Sequence, residues 1–223
     1  LGGRDVPVRI RRNARARRMI LRVDTDIEGA VVTLPPRTSE REALSMVQEK
    51  SGWLLARLDT MPSKIPFEDG AQIPLLGQDY IVCHEPGLKA IAIKGDNQIR
   101  MGGRPEHLTR RLNDWLRKEA KAEIQPRAYE MAAQLERKVG RITVRDTKSR
   151  WGSCAPNGNL SFCWRLIMTP EWVLDYVVAH EVSHLRHMDH SQNFWQTVAS
   201  LNVRVDDARA WLNDNAEQIQ RYG

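Results

Sequence analysis

Four of the six histidines in this 223-residue chain fall within residues 179–195, AHEVSHLRHMDHSQNFW. Three of them, His180, His184 and His190, stand at relative positions 0, 4 and 10, with Glu181 beside the first. Residues four apart lie on one face of a helix, so His180 and His184 can grip one ion together. The third imidazole reaches that ion only if the helix ends and the chain turns back. The run therefore demands a helix, a stop and a reversal. Three neutral nitrogen ligands leave one corner of a tetrahedral Zn²⁺ open to water. Glu181, one residue off the ligand face, stands where it can take a proton from that water as it attacks. The expected chemistry is hydrolysis with one Zn²⁺ per chain, bound by His180, His184 and His190, with Glu181 as general base.

His187 is the competing third ligand, because it too lies near the face of His180 and His184. On a straight helix it sits two turns from His180, and three nitrogens then converge poorly on one ion at about 2.0–2.1 Å. Residues 189–191, Asp-His-Ser, read as a turn that lets the chain bend back, which favours His190. Asp189 is a weaker candidate as ligand or orienter. A structural zinc site would want a fourth protein ligand, and Cys154 or Cys163 could supply it. As hairpin residues they read better as small buried hydrophobes.

The rest of the chain divides by periodicity. Val6, Val8 and Ile10, then Met19, Leu21 and Val23, then Ala30, Val32 and Leu34 alternate as strands buried on one face. Turns are expected at residues 13–16 and 24–29. Ser39 and Glu42 form a capping box that starts a helix over 39–59, with Ala43, Val47, Leu54 and Leu58 as its apolar stripe. Short strands separated by glycines follow at 73–76, 80–83, 90–93 and 98–101. His84 stands alone among them and reads as structural. Residues 106–138 read as helical, with a kink or break at Pro126 and an end at Gly140. The expected organisation is α+β: a small antiparallel β region with one helix over residues 4–103, then a catalytic domain of helices and a small antiparallel sheet over 104–223.

Ile142 and Val144 start a strand that leads to Arg150, Trp151, Gly152, Ser153 and Cys154. Asn157 and Gly158 form a strong signal for a two-residue hairpin turn. With those two at the tip, facing residues have numbers that sum to 315, so Trp151 faces Trp164 and Arg150 faces Arg165. Thr169 reads as the cap of the next helix, with Pro170 in its first turn. Trp172, Val173, Tyr176, Val177 and Val178 make that helix apolar on most sides, hence buried. Ser191 can cap a further helix that turns Phe194, Trp195, Val198 and Leu201 inward. A last helix from Asp206 is expected to turn Ala210, Trp211 and Ile219 inward.

The segment from Arg150 to Trp195 resembles the YgjP-like proteins, a bacterial group of zinc metallopeptidases related to the SprT-like and WLM domains. The matching pieces are RWGSC from Arg150, NLS from Asn159, WRL from Trp164, YVV from Tyr176, and His180-Glu181 through His184, His187, His190-Ser191 and Phe194-Trp195. Cys163 departs from the pattern, where asparagine is the more frequent residue. The resemblance implies a zincin-like core with His180, His184 and His190 as ligands and Glu181 as base. It implies that the strand of Trp151, Gly152, Ser153 and Cys154 lines the cleft and takes an extended peptide by backbone pairing. The YgjP-like group includes a nucleotide pyrophosphatase acting on UTP, and the related SprT-like and WLM proteins include proteases acting on DNA-linked proteins.

Charge bears on that choice. The formal net charge is +6, and Arg4, Arg9, Arg11, Arg12, Arg15, Arg17, Arg18 and Arg22 crowd the first 22 residues. Such a run attracts nucleic acid, phosphate compounds or acidic proteins, or it is a solvated strand face. No aromatic residue interleaves it, so no stacking platform for single strands is indicated. Arg150 and Arg165 could hold phosphate or line a cleft for acidic peptide. No stretch is long and apolar enough to span a membrane, and no signal-peptide core is evident. Three cysteines make no disulfide scaffold, which suits the cytoplasm. Three functions follow: a zinc peptidase acting on peptide or protein, a metal-dependent nucleotide pyrophosphatase, and a nucleic-acid or protein-binding module with a vestigial metal site. An open groove beside an edge strand favours the first, and an anion pocket holding Arg150 or Arg165 the second. Arginines 4–22 on one continuous face favour the third.

Overall fold

The computed structural model describes every residue except 25, 26, 90, 202 and 203. Those positions take in part of the expected turn at 24–29 and the first residue of the strand expected at 90–93, which lie outside the described residues. The class is α+β, with helices and three small sheets. Two compact units comprise Leu1–Ser63 and Lys64–Gly223. The boundary expected near residue 103 therefore falls inside the second unit.

The first unit holds β1 (Val8–Arg12), β2 (Ile20–Asp24) and β3 (Gly29–Leu34), followed by α1 (Glu40–Glu49) and α2 (Ser51–Asp59). The sheet order is β1-β3-β2. β1 runs parallel to β3 and β2 antiparallel to it, so the sheet is mixed. Ser39 and Glu42 close the expected capping box. The single helix expected over 39–59 is two helices, which break at Lys50 (φ −94°, ψ 14°). Ala30, Val32 and Leu34 pack on Ala43, Val47, Leu54 and Leu58. Several of the basic side chains are engaged locally: Arg4 pairs with Asp59 and Arg9 with Asp24, and Arg12 donates to the carbonyls of Pro36 and Thr38.

In the second unit, β4 (Gln72–Leu75), β5 (Gln78–His84), β6 (Ala92–Gly95) and β7 (Gln98–Met101) form a sheet in the order β4-β5-β7-β6. The β5–β7 pair is parallel. His84 has the structural place expected of it, with Nε2 2.7 Å from the Gly103 carbonyl. α3 (Leu108–Gln134) then runs 27 residues and continues through Pro126. Leu108, Leu112, Leu116, Ala120, Ile124, Ala128 and Ala132 are its buried residues, one every fourth position. That spacing makes a single ridge, which packs on a neighbouring helix and turn. The helix does not end at Gly140. Glu136 takes φ 53°, the Arg137 amide bonds the Ala132 carbonyl and the Glu136 amide the Ala133 carbonyl. This is a Schellman stop with glutamate in the position that glycine usually fills.

β8 (Ile142–Arg145), β9 (Gly152–Cys154) and β10 (Leu160–Cys163) form the third sheet in the order β8-β10-β9. β8 runs parallel to β10 and β9 antiparallel to it. α4 (Glu171–Ser183), α5 (Gln192–Leu201) and α6 (Val205–Ile219) complete the unit. α4 packs against α3, α5, α6 and β9 and buries Val173, Leu174, Tyr176, Val177, Val178 and Ala179, so the helix that carries His180 is central. Its N-cap is Pro170 rather than Thr169, whose hydroxyl turns back to the Leu166 carbonyl at 2.8 Å. In α6 the buried residues are Ala208, Leu212 and Ile219, and Ala210 is exposed.

Candidate metal centre

α4 ends at Ser183, with His184 as its C-cap, so both motif histidines sit on the last turn of a buried helix. The chain then turns and returns His190 to the same place. The ligand-capable atoms of His180, His184 and His190 lie within 4.8 Å of one another. Nε2 of His180 is 3.2 Å from Nε2 of His190. A tetrahedral ion with bonds of about 2.0–2.1 Å separates its nitrogens by about 3.3–3.4 Å. The donor set and its spacing therefore fit a divalent ion of the zinc type. His187 contributes no ring to the group. Its backbone carbonyl lies 3.0 Å from His184 Nδ1, which gives that nitrogen a proton acceptor and leaves Nε2 for an ion. Nδ1 of His180 is buried with no partner among the described residues.

An aromatic wall stands behind the rings. Phe194, fully buried, stacks on His184 with centroids 4.5 Å apart and meets His180 edge-on at 5.0 Å. Trp195 lies 5.7 Å from His180. Burial, and then repulsion from His184 and His190, lowers the His180 imidazole to about 4. Burial also lowers His184, against the pull of the His187 carbonyl. Both rings are thus neutral at physiological pH, as a metal ligand must be.

Glu181 is only 6% exposed and abuts β9. Burial raises its carboxyl to about 7, with Arg150 pulling the other way. A Cβ at Gly152 would sit 2.5 Å from the Glu181 Cγ and Oε1. Only glycine at 152 therefore lets the strand lie against this carboxylate.

His180 and Glu181 open into a cleft of about 560 Å³. Arg150, Trp151 and Gly152 form one wall, and Arg209, Asn213 and Glu217 of α6 form part of the other. Ser153 does not line it, because strand alternation turns that residue to the opposite face of the sheet. The Cys154 side chain packs on the core, where burial and then the Glu181 charge raise its thiol to about 11. Neither Cys154 nor Cys163 joins the histidine group. Arg165 is not among the residues that line the cleft and is 3% exposed. It pairs with Asp146, donates to the Tyr222 carbonyl at 3.1 Å and lies 4.4 Å over the Trp164 ring.

The hairpin register explains the misplacement of Arg165. Leu160 faces Cys154 and Ser161 faces Ser153, so facing numbers sum to 314 and the expected facing pairs do not form. Pro156 and Asn157 are the central residues of a turn closed by the Gly158 amide on the Ala155 carbonyl at 2.8 Å, and Gly158 takes φ 77°. Proline favours this type I turn with its following left-handed glycine, and that adds one residue to the loop. β10 then ends at Cys163, and a 3₁₀ turn over Trp164–Met168 carries Arg165 inward.

Sequence reasoning missed Tyr176, Arg209, Asn213 and Glu217 as cleft residues. Tyr176 was legible, standing one turn before His180 on the same face. The α6 residues carry no local signal, since only the packing of α6 beside α4 brings them there.

A buried helix ending in paired histidines and a third histidine on the return thus form a group that could hold a metal ion, with a carboxylate beside it on a cleft. The model of the YgjP-like family, metallopeptidase domain, matches residues 17–215, and the chain belongs to that family. No curated protein matches the chain. Among solved structures, the metallopeptidase zymogen abylysin of Pyrococcus abyssi is similar over 43% of this chain and 93% of its own, with 18% identity and a TM-score of 0.36. A likeness of that size carries no argument about the activity of this chain.

Proposed function

We propose that the chain is a zinc-dependent peptidase in which His180, His184 and His190 hold one ion and Glu181 is the general base. The observation that carries this reading is a free strand edge beside the buried carboxylate. In the β9–β10 ladder the Trp151 carbonyl accepts from the Cys163 amide and the Ala155 amide donates to the Asn159 carbonyl. By alternation the amides and carbonyls of Gly152 and Cys154 point away from β10. β9 lies at the edge of its sheet, so a peptide can pair with it while its backbone crosses the cleft.

An ion held by His180, His184 and His190 would supply Lewis acidity when bound. Glu181 accepts the proton of the attacking water on a carboxylate oxygen and delivers it to the leaving amide nitrogen. Gly152 keeps β9 close to Glu181, and Phe194, stacked on His184, holds that ring in place.

The pyrophosphatase reading has less support, because Arg165 is committed to Asp146 and leaves Arg150 without it in the cleft. The test offers wild type and Glu181→Gln, with zinc content measured, to a peptide library and a nucleoside triphosphate panel. Peptide cleavage should occur in the wild type and fall at least about 10³-fold in Glu181→Gln with zinc retained. His190→Ala should lower zinc occupancy and His187→Ala should not. Equal activity of wild type and Glu181→Gln would remove Glu181 from its role, and triphosphate hydrolysis without peptide cleavage would overturn the substrate class.

A further inference from the structure

The outer face of the β8-β10-β9 sheet carries a second arrangement that the metal site does not use. Alternation along β8 sends Ile142 to the core and Arg141, Thr143 and Arg145 to the opposite face. Register then aligns Thr143 with Ser161 and Ser161 with Ser153, a row of three hydroxyls across the sheet. With Arg150 these residues line a groove of about 250 Å³. No carboxylate and no aromatic ring is among its lining residues. Arg141, Arg145 and Arg150 are exposed, and none forms an ion pair among the described residues. Of the three hydroxyls, that of Thr143 donates to the Leu160 carbonyl at 3.3 Å.

Geometry restricts the ligand. Arg141 and Arg145 are four strand steps apart, about 13 Å at 3.3 Å per residue. With Arg150 they are three cations spread over the groove, each able to engage a separate anion, so the face suits a chain of anionic groups. The groove has the volume of a few side chains, and it offers no ring on which a base could stack. Arg150 lines both this groove and the cleft of His180 and Glu181. A ligand in the groove is therefore led to the free edge of β9, which takes polypeptide.

We propose that this face is an exosite for an acidic stretch of a polypeptide substrate. Aspartate or glutamate side chains engage Arg141, Arg145 and Arg150, with the hydroxyl row between them, while the adjoining residues of the same chain cross the cleft. The inference rests on the peptidase reading for its function, and its binding arm stands apart from it.

Binding is measured on Glu181→Gln by fluorescence anisotropy with a peptide that carries a central Asp/Glu run and with its Asn/Gln counterpart. The acidic peptide should bind roughly tenfold tighter at low ionic strength, with the difference fading as salt rises. The exposed double variant Arg141→Gln/Arg145→Gln should bring the two peptides within about twofold. In the wild type, kcat/KM for acidic over neutral peptides should fall in parallel, mainly through KM. Equal binding of the two peptides, or a preference that survives the double substitution, would overturn the exosite. A 20-base-pair duplex that displaces the acidic peptide and loses its own affinity in the double variant would assign the face to nucleic acid instead. Absence of any peptide cleavage by wild type would count against the peptidase reading, and the binding arm would still decide the exosite.

Discussion

Burial raises the Glu181 carboxyl to about 7, so in the metal-free protein its ionisation works against the fold. Below the unfolded value near 4.3 the group is protonated in both states and costs nothing. As pH rises through the folded value, the unfolded chain gains stability relative to the native state, on the order of 3 kcal/mol once ionisation is complete. Glu181→Gln removes that titration. Urea unfolding with chelator present should show the variant more stable than wild type at pH 8 and equal to it at pH 4. Matching midpoints at both values would mean that the carboxyl is not desolvated in the native state. The residue proposed as general base thus carries a stability cost that a structural side chain would not.

Two elements show how local rules and their exceptions shape the site. The hairpin follows Pro156 rather than the Asn-Gly pair alone, and a one-residue change of register decides which side chains face one another. The end of α3 follows the Schellman geometry but places Glu136 at φ 53°. A side chain in that conformation costs about 1–2 kcal/mol that glycine avoids. Glu136→Gly should stabilise the protein by about 0.5–1 kcal/mol, after the greater freedom of glycine in the unfolded chain is counted. Thermal unfolding should register this as a rise of about 1–4 °C. Glu136→Ala, which keeps the Cβ, should give no such gain.

At the scale of the second unit, Arg165 is a tie rather than a ligand contact. It joins the 3₁₀ turn after β10 to Asp146 beyond β8 and to the Tyr222 carbonyl near the C-terminus. Burial opposes ionisation of Asp146, but Arg165, with Arg117 beside it, outweighs that and holds the carboxyl below its ordinary value. The stabilisation is present above the unfolded value near 3.9 and is lost as pH falls through the lower folded value. Asp146→Ala leaves a buried guanidinium with only a carbonyl and the Trp164 ring as company. The expected loss is about 2–4 kcal/mol at pH 7, shrinking below pH 4, readable in urea midpoints. A loss that is the same at both pH values would place the effect in packing.

Where chemistry is local along the chain, it was legible from residue order. His180, His184 and Glu181 share one helix turn, and the capping box at Ser39 and the period-two strands depend on neighbours two to four residues away. The choice of His190 over His187 followed from helix geometry, and the structure gathers the same three rings. Contacts between distant segments were another matter. Arg165 is buried because β10 ends one residue before Trp164, and Arg209 reaches the cleft because α6 packs beside α4. The parallel β1–β3 and β8–β10 pairings join segments whose alternation reads the same in either direction. Periodicity reports which face of an element is buried, and only packing reports what lies against it. The sequence by itself thus determined the candidate ligands and their helix. The tertiary structure decided the cleft walls, the environment of Glu181 and the basic sheet face, because burial and field depend on residues far apart in the chain.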